Sequence, residues 1–295
     1  MSLKDQIKGT GVALITPFKK DGSVDFDALL RVINFVLDEG VQYLVTLGTT
    51  GETPTLSKEE RLDIINFTLE VAGDRAPVVI GVGGNDTKAV IKEAEGYPLD
   101  KAVAILSASP NYNKPSQEGI YQHYKALAAI TTRPVILYNV PGRTGSNISA
   151  ATTLRLSQDI ENINGIKEAS GNMMQCMQIL KDKSPDFLVV SGDDSLALAQ
   201  IACGMDGVIS VAANCFPKDF SNMVQYALNN EYSPARALQY RLLPGYDLLF
   251  AENNPAGVKA FLSELGLIEN ELRLPLVALS SGLMQEVKQY MISLK

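Results

Sequence analysis

The chain has 295 residues, of which 46% are apolar and 20% are charged, and its formal net charge is -7 at pH 7. These proportions are ordinary for a globular protein, and the negative charge argues against a nucleic-acid-binding surface. No segment has the apolar length of a signal peptide or a membrane span, so we expect a cytoplasmic protein. The length suits either two small domains or one large α/β barrel with an extension.

Cysteine and histidine are scarce. Cys176, Cys203 and Cys215 are far apart in the sequence, which favours neither a disulfide framework nor a zinc cluster, and we expect three core thiols. The only histidine, His123, lies in a segment of helical pattern, so we predict a surface or helix-packing residue rather than the base of a catalytic triad. Metal-dependent aldolases normally use several histidines, so no metal site is expected.

Apolar, β-branched runs alternate with amphipathic segments along the chain. Continuous apolar runs separated by helices indicate buried parallel strands. The predicted strands are 11–18, 43–47, 78–82, 102–107, 135–139, 163–167, 188–191 and 207–211. The helices predicted between them include 25–39, 58–72, 117–130, 173–181 and 195–203.

Eight strand–helix units in this length predict an α/β protein, a (β/α)8 TIM barrel. A doubly wound open sheet normally has a glycine-rich phosphate turn after its first strand, whereas here the sequence Thr-Pro-Phe-Lys follows at residues 16–19. We therefore predict a catalytic barrel over residues 1–230 and a C-terminal helical domain over residues 231–295. The helices predicted in that second domain are 235–243, 257–265 and 277–294.

A lysine at the end of the sixth predicted strand carries the first hypothesis about function. Lys167 lies in an apolar run, and a desolvated lysine that gives up its proton is a nucleophile for carbonyl carbons. The alternative is an exposed lysine that is paired with Glu168. Tyr138 ends the adjacent fifth strand and could transfer protons during imine formation. Its alternative is a structural tyrosine whose hydroxyl has a backbone partner.

Other polar residues follow the predicted strands. Thr49 and Thr50 follow the second strand, where they could extend a proton relay and hold a carboxylate, or simply complete a turn. Arg143 suits bidentate binding of a carboxylate, although most isolated loop arginines are only solvated. Asp193 and Asp194 are expected to begin the helix after strand seven. Together these residues indicate a Schiff-base site for a small keto acid.

Four segments carry a resemblance to a known family. They read GTTGE at residues 48–52, SPNYN at 109–113, YNVPGRTG at 138–145 and GIKEASG at 165–171. In this order and spacing they resemble the pyruvate-dependent class I aldolase and lyase family, which includes the N-acetylneuraminate lyases. The resemblance extends from about residue 9 to the C-terminus and implies a (β/α)8 barrel followed by helices.

The resemblance also implies a role for each matching residue. Lys167 would form an imine with pyruvate without any cofactor, and Tyr138 would donate and accept protons. Thr49 would link Tyr138 to Tyr112, which in this family reaches in from a neighbouring subunit of a homotetramer. The residues implied to bind the substrates are Thr50, Gly192, Ile209 and Arg143.

Thr49 and Arg143 favour one branch of the family. That branch condenses pyruvate with L-aspartate 4-semialdehyde to a heterocyclic lysine precursor, whereas sialic-acid lyases usually carry GSTGE and lack the arginine. Three alternatives stay open at this point. They are a pyruvate aldolase for a sugar acid or a hydroxy-oxo acid, a pyridoxal-phosphate barrel anchored at Lys167, and an inactive member that binds or regulates.

The resemblance also bears on regulation. Members inhibited by lysine use small, acidic, histidine and tyrosine residues at a subunit interface. The matching positions in this chain hold Pro54, Lys58, Arg61, Ala89 and Asn111. Because two added cations disfavour a cationic effector, we expect weak or absent lysine inhibition.

Overall fold

The computed structural model describes residues 2–294. Eight parallel strands form one closed barrel, in which each strand pairs with the next along the chain and the eighth pairs with the first. The predicted (β/α)8 fold is therefore confirmed. The strands are β1 (Gly9–Ala13), β2 (Tyr43–Thr46), β3 (Val78–Val82), β4 (Ala104–Ala108), β5 (Val135–Asn139), β6 (Ile163–Glu168), β7 (Leu188–Ser191) and β8 (Gly207–Ser210).

Helices connect the strands and continue after the barrel closes. A short 3-10 turn, Thr49–Gly51, follows β2. The helices in the described range are α1 (Leu3–Ile7), α2 (Phe26–Asp38), α3 (Lys58–Ala72), α4 (Thr87–Ala94), α5 (Gln117–Ala128), α6 (Pro141–Thr144), α7 (Ala150–Asp159), α8 (Met173–Asp182), α9 (Ala197–Ala202), α10 (Pro217–Leu228), α11 (Tyr232–Phe250), α12 (Ala256–Glu264) and α13 (Ser281–Ser293).

The first strand is shorter at its C-terminal end than the sequence predicts. The prediction was 11–18, whereas β1 ends at Ala13. Pro17 has no amide hydrogen for a strand ladder, and the Thr16 hydroxyl donates to the carbonyl oxygen of Gly51 at 2.7 Å. The end of this run therefore supports the turn after β2 instead of extending the barrel.

Helix α11 is longer than predicted. The prediction was 235–243, whereas α11 runs from Tyr232 through Pro244 to Phe250, although a proline removes one helix hydrogen bond. Leu242, Tyr246 and Leu249 are buried along its length. Packing of this face against the core outweighs the local cost of the proline.

Side chains of the strands alternate between two layers, as strand geometry requires. On β5, Ile136 and Tyr138 belong to an apolar cluster inside the barrel, whereas Val135 and Leu137 belong to the larger cluster beneath the helices. Helix α1 contributes Leu3 and Ile7 to the inner cluster. This alternation decides which strand residues can reach the interior of the barrel.

The segment after the barrel shares the core of the barrel. Buried residues of α11 and α12, including Leu242 and Phe261, belong to the same cluster as residues of β1 and β2. The division into domains 1–230 and 231–295 thus stays a prediction. Met1 and Lys295, at its outer limits, lie outside the described residues.

The expectations for cysteine and histidine have different outcomes. Cys176 and Cys215 are buried as predicted, but Cys203 is exposed, because it caps the surface end of α9. His123 lies on α5 with 3% of its surface exposed. Its Nδ1 is 2.9 Å from the hydroxyl of Thr87, which confirms a helix-packing role.

Two features are absent from residues 2–294. No helix in that range is both long enough and apolar enough to cross a membrane. Within the same range, no three His, Cys, Asp or Glu side chains group in a way that could hold a metal ion.

Candidate active site

The pairing of β5 with β6 brings the predicted amine and phenol together. Tyr138 lies opposite Lys167 in the register of the two strands. The Lys167 Nζ is 4.4 Å from the centroid of the Tyr138 ring. Both side chains are buried, with 5% and 8% of their surfaces exposed. The structure therefore places a lysine amine beside a tyrosine at the C-terminal end of the barrel.

The carboxylate next to Lys167 in sequence is directed elsewhere. Successive residues of a strand point to opposite faces, and Glu168 lies on the helix side of β6. Its carboxylate accepts hydrogen bonds from Asn139 Nδ2 at 2.9 Å, Gln175 Nε2 at 2.9 Å and the amide of Ser170 at 2.7 Å. The alternative prediction of a Lys167–Glu168 pair is wrong, and no carboxylate within the described residues pairs with Lys167.

Gly192 leaves the space that the Lys167 side chain occupies. A Cβ atom added at Gly192 would lie 2.9 Å from Lys167 Cε and 2.6 Å from Ala169 Cβ. Contacts this short do not occur between real side chains, so any larger residue would displace the lysine. The Gly192 amide donates to the carbonyl oxygen of Glu168 at 2.8 Å, which keeps the loop after β7 against β6.

The turn after β2 presents two threonines. Thr49 is half-buried, whereas Thr50 is 2% exposed. The Thr50 hydroxyl accepts a hydrogen bond from Asn254 Nδ2 at 2.9 Å. Glu52 follows the turn with a φ of 53°, a left-handed conformation that non-glycine residues rarely adopt. The turn is therefore held from outside rather than by its own backbone preference.

A cavity of about 510 Å³ opens at this end of the barrel, and its walls include Thr49, Tyr138 and Arg143. This volume suits a small-molecule ligand. Arg143 is exposed on α6, and its Nη2 donates to the carbonyl oxygen of Asn254 at 3.4 Å. Other lining residues are Thr53, Pro54, Arg61, Asn85, Ser109, Asn111 and Val140.

Five predicted site residues are not part of this cavity wall, namely Lys167, Thr50, Tyr112, Gly192 and Ile209. Tyr112 is 86% exposed, and in the described chain its hydroxyl makes no hydrogen bond with Thr49 or Tyr138. Its backbone has a φ of 69°. Ile209 lies on β8, is 1% exposed and belongs to the same inner cluster as Tyr138.

Comparison with known proteins agrees with this geometry. The sequence matches the dihydrodipicolinate synthetase family over residues 6–293. The chain belongs to this family. The 4-hydroxy-tetrahydrodipicolinate synthase of Phocaeicola vulgatus is 52% identical over 275 residues, which are 93% of each chain. The resemblance predicted from four short motifs is confirmed over nearly the whole sequence.

Solved structures of the family superpose closely on this chain. A chloride-inhibited dihydrodipicolinate synthase from Acinetobacter baumannii, complexed with pyruvate, has a TM-score of 0.92 at 39% identity, covering 97% of this chain and 98% of that one. A dihydrodipicolinate synthase described as the first monomeric variant has a TM-score of 0.95 at 37% identity, covering 99% of this chain and 98% of that one.

Helix α9 begins at Ala197, two residues later than predicted. Asp193 accepts hydrogen bonds from the amides of Ser195 and Leu196, directly before the helix, whereas the prediction for Asp194 is wrong. Asp194 is buried and accepts from the amides of Val211 at 3.1 Å and Ala212 at 2.8 Å. Burial raises the pKa of Asp194 to about 6. Its carboxylate fixes the loop after β8 and does not serve its own helix.

Sequence reasoning missed the contribution of the segment after α11, which it treated as an appendage. Asn254 contacts both Thr50 and Arg143. Lys259 on α12 is buried and pairs with Glu52. A signal was present, because Lys259 is the only charged residue in the apolar run 256–262, as Lys167 is a charged residue in its own apolar strand.

Proposed function

We propose that the protein condenses pyruvate with L-aspartate 4-semialdehyde to give 4-hydroxy-tetrahydrodipicolinate, a step of lysine and diaminopimelate biosynthesis. The observation that carries the proposal is the Lys167 amine, buried without a carboxylate partner, 4.4 Å from the Tyr138 ring. A relative that is 52% identical carries the name of this synthase. Such a biosynthetic enzyme is expected in the cytoplasm.

The first half of the reaction joins pyruvate to the enzyme. The Lys167 amine attacks the keto carbon of pyruvate, a C–N bond forms, and the keto oxygen leaves as water to give an imine. Tyr138 is close enough to Lys167 to supply and remove the protons that these steps require. Thr50 and the backbone at Gly192 and Ile209 would hold the pyruvate carboxylate. The chain itself supplies the nucleophile, so the proposed chemistry needs no cofactor.

The second half forms the carbon–carbon bond. Loss of a methyl proton converts the imine to an enamine, whose carbon attacks the aldehyde carbon of the semialdehyde. The amino group of the semialdehyde then attacks the imine carbon, which closes the ring and releases the Lys167 amine. Arg143 lines the cavity and is proposed to bind the semialdehyde carboxylate, because a guanidinium matches a carboxylate with two hydrogen bonds.

Tyr112 is proposed to complete the site of a neighbouring subunit, with Thr49 linking it to Tyr138, in a homotetramer. The ring of Tyr112 is 86% exposed and so is available to a neighbouring subunit, and its φ of 69° is a conformation that non-glycine residues rarely adopt. Because a monomeric relative exists, the assembly needs direct measurement by sedimentation. If the protein is monomeric and fully active, Tyr112 has no such role.

The test compares pyruvate consumption with and without L-aspartate 4-semialdehyde, alongside borohydride trapping of the imine. We expect trapping at Lys167 with pyruvate alone and rapid consumption only when both substrates are present. Absence of a trapped imine would refute the proposal. Trapping without consumption would instead favour a pyruvate aldolase for a sugar-derived aldehyde, an alternative that the named relatives do not favour.

An arginine variant makes the test specific to the second substrate. Arg143→Ala should lower the use of the semialdehyde strongly and leave imine formation with pyruvate almost unchanged. Arg155→Ala is the matched control, because Arg155 is a half-exposed arginine on α7 whose carboxylate partners are Glu118 and Asp159. Equal effects of the two substitutions would remove Arg143 from the proposed site.

A further inference from the structure

A fully buried ion pair joins the turn after β2 to the segment after the barrel. The Lys259 Nζ is 2.5 Å from Glu52 Oε1, and both side chains are 0% exposed. The same ammonium donates to the carbonyl oxygen of Glu271 at 2.8 Å and lies 4.1 Å from the Phe18 ring centroid. The second oxygen of Glu52 accepts from the amide of Arg273 at 3.0 Å. We call this contact the Glu52–Lys259 pair.

The pair acts on the residue that directly follows the threonine turn. The Glu52 amide donates to the carbonyl oxygen of Thr49 at 3.2 Å. Glu52 also adopts the left-handed backbone conformation that ends the turn, and that conformation must be held by contacts outside it. The carboxylate contacts of Glu52 therefore help to set where Thr49 and Thr50 stand.

Stability alone does not explain a buried ion pair. Removing two charges from water is costly, and apolar residues of similar volume often replace such a pair without loss of stability. An apolar replacement would, however, lose the directional contacts that fix Glu52 between Lys259 and Arg273. The pair is better explained by the position it imposes than by the stability it contributes.

We infer that Lys259 and Glu52 are positioning residues that hold the turn after β2, so that Thr50 is in place to bind the carboxylate of pyruvate and Thr49 is in place for the proposed link to Tyr138. The inference rests on the proposed function. Tyr138 and Lys167 lie on β5 and β6, which the pair does not touch. Breaking the pair should thus raise the KM for pyruvate about tenfold or more, since misplaced binding groups have effects of this size. The kcat should fall by a smaller factor than the KM rises, because Thr49 belongs to the proposed proton relay whereas Lys167 and Tyr138 stay in place.

The charge state of the pair adds a second readout. The charged groups that face Lys259 are Glu52 and Arg273, with Glu271 contributing its backbone oxygen and Glu60 bound on the far side of Arg273. Burial lowers the pKa of Lys259 to about 8. Above that pH the ammonium loses its proton and the contact with Glu52 weakens. The KM of the wild type should rise there, whereas the KM of a Lys259→Met variant should not follow that rise.

The experiment uses Glu52→Gln, which keeps the shape of the side chain, and the double variant Glu52→Leu with Lys259→Met. Lys4→Met is the control, because Lys4 pairs with Asp206 at 2.8 Å just before β8, at the opposite end of the barrel. For each protein, the KM and kcat for pyruvate, the Tm and the hydrogen exchange of residues 47–56 are measured. We expect a raised KM and faster exchange in both test variants, with the Tm of the double variant unchanged or higher.

The outcomes separate this inference from the proposed function. An unchanged KM with a lowered Tm would make the pair merely structural and overturn the inference, as would unchanged exchange of residues 47–56. If the wild type traps no pyruvate imine, the proposed function fails, and the exchange measurement alone decides whether the pair holds the turn. Changes equal to those of Lys4→Met would also overturn it.

Discussion

Two buried lysines in this chain differ in whether a carboxylate pairs with the amine. Lys167 is 5% exposed, has no carboxylate partner and lies against Tyr138, which lines an open cavity. Lys259 is 0% exposed and is held by Glu52 at 2.5 Å. An amine must be both unpaired and accessible to attack a carbonyl carbon. Lys167 is unpaired and lies beside a residue of the cavity wall, whereas Lys259 is paired and fully buried.

The difference follows from the elements that carry the two residues. On β6, alternation directs Lys167 to the interior, where Gly192 leaves room for its side chain. On α12, every residue from Ala256 to Leu262 is buried. A cation on such a helix cannot reach water and needs a carboxylate nearby. The surroundings of the strand leave the amine of Lys167 without a carboxylate partner, whereas those of the helix place Glu52 against the amine of Lys259.

Removing the amine of Lys167 is the most direct test of the difference between the two lysines. Lys167→Ala should lower kcat by at least about 10³-fold, because no other group can form the covalent intermediate. Borohydride labelling by pyruvate should disappear in this variant and persist at Lys167 in Lys259→Met. Mass spectrometry of the labelled peptide checks both results. A label on Lys259 would contradict the distinction between the two lysines.

A smaller change tests the space around Lys167. Gly192→Ala would place a Cβ atom 2.9 Å from Lys167 Cε, so the amine must shift, and we expect about a 10²-fold loss of kcat/KM. Gly282→Ala on α13 is the control, because no atom lies within 4 Å of the added Cβ there. The kcat/KM of both variants is measured by steady-state kinetics. Equal values would show that the close packing at Gly192 has no catalytic consequence.

His123 is a third buried basic residue, and like Lys167 it has no acidic partner within the described residues. Burial lowers its pKa to about 4, from 6.5 in an exposed state. The fold therefore favours the neutral ring, so this contribution to stability is complete above pH 6.5 and is lost as the pH falls towards 4. The shift corresponds to about 3 kcal/mol.

Urea unfolding of the wild type and of His123→Gln between pH 7 and pH 4 measures how the free energy of unfolding depends on pH. The loss of stability caused by protonation of His123 should be absent from the variant. Because the chain has one histidine, NMR can follow its ring without ambiguity. A ring that titrates near pH 6.5 in the folded protein would contradict the assignment.

Free lysine is expected to have little or no effect on the activity of the enzyme. Arg61 lines the cavity with Pro54 and Asn111 and pairs with Glu93 at 2.6 Å. Pro54, Arg61 and Asn111 offer neither a free carboxylate nor an aromatic ring to the ammonium groups of free lysine, so activity should be unchanged by millimolar lysine. Initial rates measured over a series of lysine concentrations check this, and strong partial inhibition would show that the expectation drawn from these residues is wrong.

Much of the fold and part of the site could be predicted from local sequence. The strands β3, β5 and β7 match the predictions to the residue, because their apolar runs are bounded by clear breaks. Lys167 and Tyr138 could be paired in advance, since they end strands that are adjacent in a barrel. The direction of Glu168 also follows from strand alternation, once the lysine is known to face inwards.

The remaining contacts depend on tertiary structure. Asn254 and Thr50 are separated by 204 residues in sequence, and Arg273 and Glu52 by 221. No local pattern specifies such partners. Asp194 was misread for the same reason, because its carboxylate serves the backbone after β8 rather than its own turn. A lone charge in the apolar run of α12 could have indicated a buried partner, but not which one.

The long separation between Glu52 and Arg273, 221 residues, has a consequence for how the protein is made. Ribosomes add about 5–20 residues per second, so the turn after β2 leaves the ribosome about 10–40 s before the residues that contact it. During that interval the strands can begin to pair, but Lys259, the cation that pairs with Glu52, has not yet been synthesised. If the Glu52–Lys259 pair positions the turn as inferred, a nascent barrel would bind substrate poorly until the segment from Asn254 to Arg273 has been synthesised, and activity would appear late in biogenesis.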